Sequence, residues 1–179
     1  MTASTLSSQK YPIGKYELQP YSDALRKQWL LDIETLPQQI ENAVQNLDEV
    51  QLNTAYREGG WTVKQVVHHV ADSHMNAYIR FKLGMTEDNP TIKPYNEVQW
   101  AEMVDVKELP INLSVTLLFA LHKRWHHYLQ SLSKDDLART VYHPENKVEY
   151  MLWDLMGMYA WHSRHHVAHI TSLRERMGW

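Results

Sequence analysis

The stretch from Tyr150 to Gly178, YMLWDLMGMYAWHSRHHVAHITSLRERMG, decides how the rest of the chain is read. Placed on a helical wheel, Leu152, Leu155, Tyr159, Ile170, Leu173 and Met177 form one apolar arc, and Asp154, Arg164, Arg174 and Glu175 fall outside it. His162 and His166 sit near the middle of that arc. Gly178 can end the helix in the left-handed conformation, and Arg174 and Arg176 suit the negative end of its dipole. The reading is a long helix from about Tyr150 to Met177 that buries one face and turns two imidazoles inward. His165 lies off the arc with Trp161 and Ser172 and is expected to be partly solvated, and His169 lies at the arc's edge.

A helix of that length needs partners, and three more patterns supply them. After Tyr21, with Ser22 or Asp23 as N-cap, Trp29, Ile33, Leu36, Ile40, Val44 and Leu47 recur at steps of three and four. Pro37 inside this pattern should kink or break the helix, because it removes a backbone donor. Gly59-Gly60 close a loop, and Thr62-Val63-Lys64-Gln65 is a capping box that opens a second helix to about Gly84. Its main face is Val63, Val66, Val70, Ala77 and Phe81. Residues 86 to 95 read as loop, with Asn96 capping a short helix through Met103. A third long helix fits Asn112 to about Leu132, with Leu117, Leu121, Trp125, Tyr128 and Leu132 as its expected inner face. Residues 139 to 149 look like a turn between short extended pieces. The fold class is all-α, a four-helix bundle with short extra helices in the loops. Residues 1–21, with Pro12, Gly14 and Pro20, read as an extended arm, and 22–179 as one domain.

Composition narrows the function. The chain has 179 residues, enough to bury a core unaided. Eighteen Lys and Arg against 21 Asp and Glu leave a net charge of -3, which argues against a surface built for nucleic acid or anionic lipid. There is no cysteine, so a disulfide framework, a thiolate metal site and a cysteine nucleophile are all excluded. No signal peptide or membrane-spanning run is visible, and a cytoplasmic protein is the default expectation. Eleven His and seven Trp are more than a helical core needs.

Three histidine pairs, His122/His126, His162/His166 and His165/His169, have the i, i+4 spacing that offers two imidazoles to one metal. Only His162 and His166 combine it with a central place on an apolar arc. Inward imidazoles without partners cost free energy, and either a metal or hydrogen-bonded neighbours would satisfy them. On the second helix a polar stripe of Gln65, His69, Ser73, Asn76 and Arg80 borders the buried face, as the wall of a cleft would. His69 is its candidate third ligand, since His68 and His74 point away. Asn76 and Arg80 are candidate anion-binding groups, with a structural ion pair as the alternative. Asp72 fits either a partner for His69 or a solvated helix position. Structural or solvent-facing roles suit His122 and His126, which flank the third helix's apolar face, and His143 lies in a loop with no readable role.

The segments Gly59-Gly60-Trp61-Thr62-Val63-Lys64-Gln65-Val66-Val67-His68-His69-Val70-Ala71-Asp72-Ser73-His74 and Tyr159-Ala160-Trp161-His162-Ser163-Arg164-His165-His166-Val167-Ala168-His169-Ile170 resemble the second-helix and last-helix motifs of the DinB-like superfamily. Tyr11-Pro12-Ile13-Gly14 and Arg176-Met177-Gly178-Trp179 extend the likeness over the whole chain, toward the superfamily's YfiT-type members. The resemblance implies an up-down four-helix bundle, usually a homodimer, with one divalent metal held by His69, His162 and His166. Zinc is the first expectation, with nickel, iron or manganese as the others. Arg164 stands where similar sequences often carry a further His, on the outer face, and no ligand position is altered. Three neutral imidazoles leave a coordination position open, and zinc in such a site brings the pKa of water to about 7. YfiT-type proteins are described as metal-dependent hydrolases, and that is the first functional expectation, acting on a small-molecule substrate. The superfamily also includes enzymes that transfer a low-molecular-weight thiol such as bacillithiol, which is the second. In that reading Arg80 would hold the thiol's carboxylates. A metal-binding stress-response protein without turnover is the third, and it requires a metal saturated by protein ligands or sealed from solvent.

Overall fold

The computed structural model describes residues 8–179. Four long helices make the bundle: α1 (Asp23–Val44), α2 (Val63–Thr86), α3 (Asn112–Ser131) and α4 (Leu152–Met177). Helix α1 packs chiefly against α4 and α3, and α2 against α3 and α4. The pairs α1/α2 and α3/α4 therefore lie across the bundle's diagonals, while α2 and α3 are neighbours.

Capping follows from the local sequence. The Ser22 hydroxyl accepts from the Leu25 N–H at the start of α1, and Thr62 and Gln65 form a reciprocal capping box at the start of α2. Gly178 ends α4 in the left-handed region at φ 71°. At the end of α2, Arg139 donates to the carbonyls of Gly84 and Glu87 at 2.7 and 2.8 Å, placing a cation against the negative end of the helix. Helix α1 runs unbroken through Pro37, contrary to a break there. The ring removes the N–H that would bond the Ile33 carbonyl one turn back, and His122 of α3 lies against that carbonyl instead.

The residues expected on the second helix's main face are fully buried, as are Ile33, Leu36 and Ile40 of α1. Helix α3 is turned relative to the expected face. Trp125 and Leu132 are buried, but Leu117 is 38% exposed, and the buried stripe is Val115, Leu118, His122, Trp125, His126 and Leu129. Two histidines complete that stripe, so an apolar count alone misplaces it. On α4, Met177 proves exposed and Asp154 buried, because the Asp154 carboxylate accepts from the Met151 N–H at the helix start.

The connections tie into α2. Asn96 caps a short helix, Glu97–Trp100, and a second short helix, Val104–Glu108, occupies part of what reads as loop. Gln65 Nε2 donates to the Ala101 carbonyl at 3.0 Å and holds this segment down. The turn expected over 139–149 is a hairpin of β1 (Thr140–His143) and β2 (Val148–Met151), antiparallel with Thr140 opposite Met151. His143 therefore ends a strand. The arm over 11–21 is non-helical, with a helical turn at residues 8–10 before it. It is fastened to α4: the indole N–H groups of Trp153 and Trp161 donate to the carbonyls of Gln19 and Gly14. Gly157 makes room for it, since a Cβ there would lie 2.4 Å from Tyr16 Oη and 2.6 Å from the Trp29 ring.

The core is two apolar clusters. One holds Trp29, Ile33, Phe81, Trp125, Leu129, Leu152 and Leu155, and the other Leu36, Ile40, Val63, Val66, Val70, Leu118 and Ile170. Where they meet along α2, α3 and α4 lie His69 and His74, His122, and His162, His165, His166 and His169. A histidine layer divides the core, and the candidate site is one side of that layer.

Candidate metal centre

His69 comes from α2, and His162 and His166 from successive turns of α4. Their Nε2 atoms converge: His162 Nε2 lies 3.3 Å from His69 Nε2 and 3.1 Å from His166 Nε2. Two nitrogens at ordinary zinc distances, subtending a tetrahedral angle, would stand about 3.3 Å apart. A single N–H on His162 could serve only one of these neighbours, whereas one cation serves all three. Among the described residues these are the His, Asp and Glu side chains whose donor atoms gather closely enough to hold a metal ion. The residues present fit a divalent cation.

Electrostatics agree with neutral ligands. Burial holds the His69 imidazole down at about 4 from an ordinary 6.5, helped by the nearby His169. Burial also holds His162 and His166 well below that value, with neighbouring imidazoles adding to the effect. The unprotonated form that binds a metal is thus the resting form at neutral pH.

His69, His162 and His166 line a cleft of about 420 Å³. Its walls include Tyr11, Tyr56, Trp61, Tyr95 and Trp161, with Lys10, Ser73 and Glu97 as polar groups. The arm contributes Tyr11, which explains why it is fastened to α4. His69 and Ser73 of the α2 stripe reach the cleft, but Asn76 and Arg80 do not line it. Asn76 turns back to donate to its own helix at the Asp72 carbonyl, 2.9 Å away. Arg80 donates to Tyr159 Oη at 2.9 Å and to the Lys93 carbonyl at 3.1 Å, pinning the loop that carries Tyr95. The anion-binding role expected for Asn76 and Arg80 therefore gives way to structural ones. Asp72 is half-buried, away from the cleft lining, and burial with Asp105 pushes its carboxyl up to about 6.

Two of the remaining histidines, His165 and His74, are placed differently from their sequence reading. His165 is buried, because Trp161 stacks on it at 4.3 Å between ring centres and Tyr11 covers it at 6.0 Å. Its Nδ1 has no partner among the described residues. His169 stacks on Tyr56 at 3.9 Å, and its Nδ1 lies 3.4 Å from His166 Nδ1. His74, read as pointing away, is fully buried, with its Nε2 3.0 Å from His162 Nδ1. Helix α4 comes back against α2 at this level, which a wheel drawn for α2 alone cannot show. His126 pairs loosely with Glu34 of α1 at 3.6 Å.

The sequence profile of the DinB superfamily matches residues 32–170. A protein of Bacillus cereus (strain 03BB102) named "Putative metal-dependent hydrolase" is 54% identical over 171 residues, covering 95% of this chain and 98% of that protein. A relative of the same description from Bacillus mycoides (strain KBAB4) matches with the same identity and coverage. Among solved structures, YfiT from Bacillus subtilis superposes with a TM-score of 0.94 at 46% identity, covering 96% of this chain and 99% of that one. It is described as a probable metal-dependent hydrolase with an unusual four-helix bundle topology.

Proposed function

The chain belongs to the DinB superfamily, and from that premise we propose that it is a metal-dependent hydrolase of small molecules, with His69, His162 and His166 holding one divalent cation. The observation that carries this is the convergence of three neutral Nε2 atoms, 3.1 and 3.3 Å apart, at a cleft. Three protein ligands leave room for water and substrate, which separates catalytic from structural zinc sites. A divalent cation held there, zinc being one of those that an all-imidazole donor set suits, would supply a Lewis acid that makes water acidic near neutral pH.

The chain's own residues supply binding and exclusion of water. The rings of Trp61, Trp161, Tyr11 and Tyr95 offer apolar walls for a substrate, with the Ser73 hydroxyl, Lys10 and Glu97 as polar contacts. Arg80 acts at one remove, holding the Lys93 carbonyl and hence the Tyr95 loop. The open cleft counts against a sealed, non-catalytic metal store. Thiol transfer loses the carboxylate-binding role once expected of Arg80, so hydrolysis is preferred.

The experiment strips metal with a chelator, restores zinc, and follows consumption of activated esters and amides with and without added thiol. Hydrolysis needs metal and no thiol. Consumption only when thiol is present would replace hydrolysis with transfer, and none in either case would remove the enzyme reading for these substrates.

A further inference from the structure

The histidines behind the cleft are ordered in a way the metal site alone does not require. His162 Nδ1 lies 3.0 Å from His74 Nε2. His74 Nδ1 in turn lies 3.0 Å from His122 Nε2, and His122 Nδ1 meets the Ile33 carbonyl. This file takes one residue from each of the four long helices. A second file starts at His166, whose Nδ1 is 3.4 Å from His169 Nδ1, and His169 Nε2 is 3.2 Å from the Lys10 carbonyl.

A carbonyl oxygen only accepts, and that sets the direction of each file. At Ile33 the acceptor is free because Pro37, four residues on, has no N–H to give it. His122 must therefore carry its proton on Nδ1, which leaves Nε2 to accept from His74 Nδ1–H. His74 Nε2 then accepts from His162 Nδ1–H. By the same logic Lys10 fixes the proton of His169 on Nε2, so its Nδ1 accepts from His166 Nδ1–H. Each contact has one donor and one acceptor only in this arrangement of neutral rings.

We infer that these two files, each ending on a main-chain carbonyl, hold His162 and His166 as Nδ1–H tautomers and so leave their Nε2 lone pairs facing the cleft. His74, His122 and His169 are positioning residues: they act through the ligands. Metal-binding histidines usually hand their second N–H to a carboxylate, a carbonyl or water. Here neutral imidazoles carry that anchor to carbonyls on α1 and the arm. The purpose of the files rests on the metal reading, but their direction does not. Opposite tautomers would place a proton on the nitrogens that converge.

The first test uses the metal-free wild-type protein, labelled with nitrogen-15 in histidine, and long-range proton–nitrogen correlation at pH 7.5. His74, His122, His162 and His166 should each show the Nδ1–H pattern and His169 the Nε2–H pattern. An Nε2–H pattern for His162 or His166 overturns the inference. The second test compares His122→Leu with His122→Gln, reading both the His162 tautomer and zinc affinity by chelator competition. Gln retains a donor and an acceptor, whereas Leu fills the space with neither. His122→Leu should mix the His162 tautomers and weaken zinc about 10- to 100-fold, and His122→Gln should restore most of both. Equal losses in the two variants would reduce His122 to packing, and an unchanged His122→Leu would overturn the file. If His122→Leu does not fold, the wild-type spectrum and His122→Gln decide. The stated tautomers with no zinc bound would uphold the files and reject the metal reading.

Discussion

Lowering the pH of the metal-free protein from 7 to 5 should destabilise it severely, and the size of the effect follows from the histidine layer. His69 and His122 are each held at about 4 in the folded state, chiefly by burial. In the unfolded chain they return to the ordinary value near 6.5. Between those values the unfolded state binds protons that the folded state does not, so unfolding becomes easier as pH falls. Integrating the linkage from pH 7 to 5 gives about 2 kcal/mol for each imidazole, or about 4 kcal/mol for the pair. His169, also held at about 4, and His165, at about 3, add in the same direction. Asp72 works the opposite way, because its carboxyl is pushed up to about 6. Its half-exposed position limits that compensation to roughly 1 kcal/mol. A net loss of about 3 kcal/mol or more is a large share of a typical domain's 5–15 kcal/mol. Urea unfolding followed by tryptophan fluorescence at pH 7, 6 and 5 measures it directly. A stability that stays level within about 1 kcal/mol, or rises on acidification, would refute the claim that these imidazoles are buried and neutral.

Other substitutions test how the fold positions the site. Gly157→Ala should lower the melting temperature even though alanine favours helix by up to about 1 kcal/mol, because its Cβ would lie 2.6 and 2.8 Å from the Trp29 ring. Overpacking of this kind costs about 1–3 kcal/mol, so a melting temperature that rises would show that the close approach is absent. Thr62→Ala removes the capping box of α2 and should cost about 1 kcal/mol in urea titrations while leaving zinc affinity unchanged. Phe81→Ala empties a fully buried position between α2 and α3 and should cost about 3–5 kcal/mol, measured the same way.

The four helices are legible because each carries a long apolar period and a local start or stop. Ser22, the Thr62–Gln65 box and Gly178 mark boundaries that the structure shares. The face of α3 was harder to read, because His122 and His126 occupy buried positions that a hydrophobic count assigns to the outside. The convergence of His69, His162 and His166 follows from spacing and direction on two helices. His74 does not, because its partners His122 and His162 come from two other helices. The role of Pro37 was only half legible. The missing N–H is written in the sequence, but the imidazole that takes up the freed carbonyl belongs to α3. Asn76 and Arg80 lie on the right stripe but reach for local carbonyls and Tyr159, and stripe membership does not reveal that.

Elemental analysis of untagged protein, wild type beside His166→Ala, tests the central claim most directly. The account predicts about one equivalent of divalent metal per chain in the wild type and its loss in the variant, with both proteins folded by circular dichroism. Equal, substoichiometric metal in the two would contradict it and return the converging imidazoles to the packing of the core.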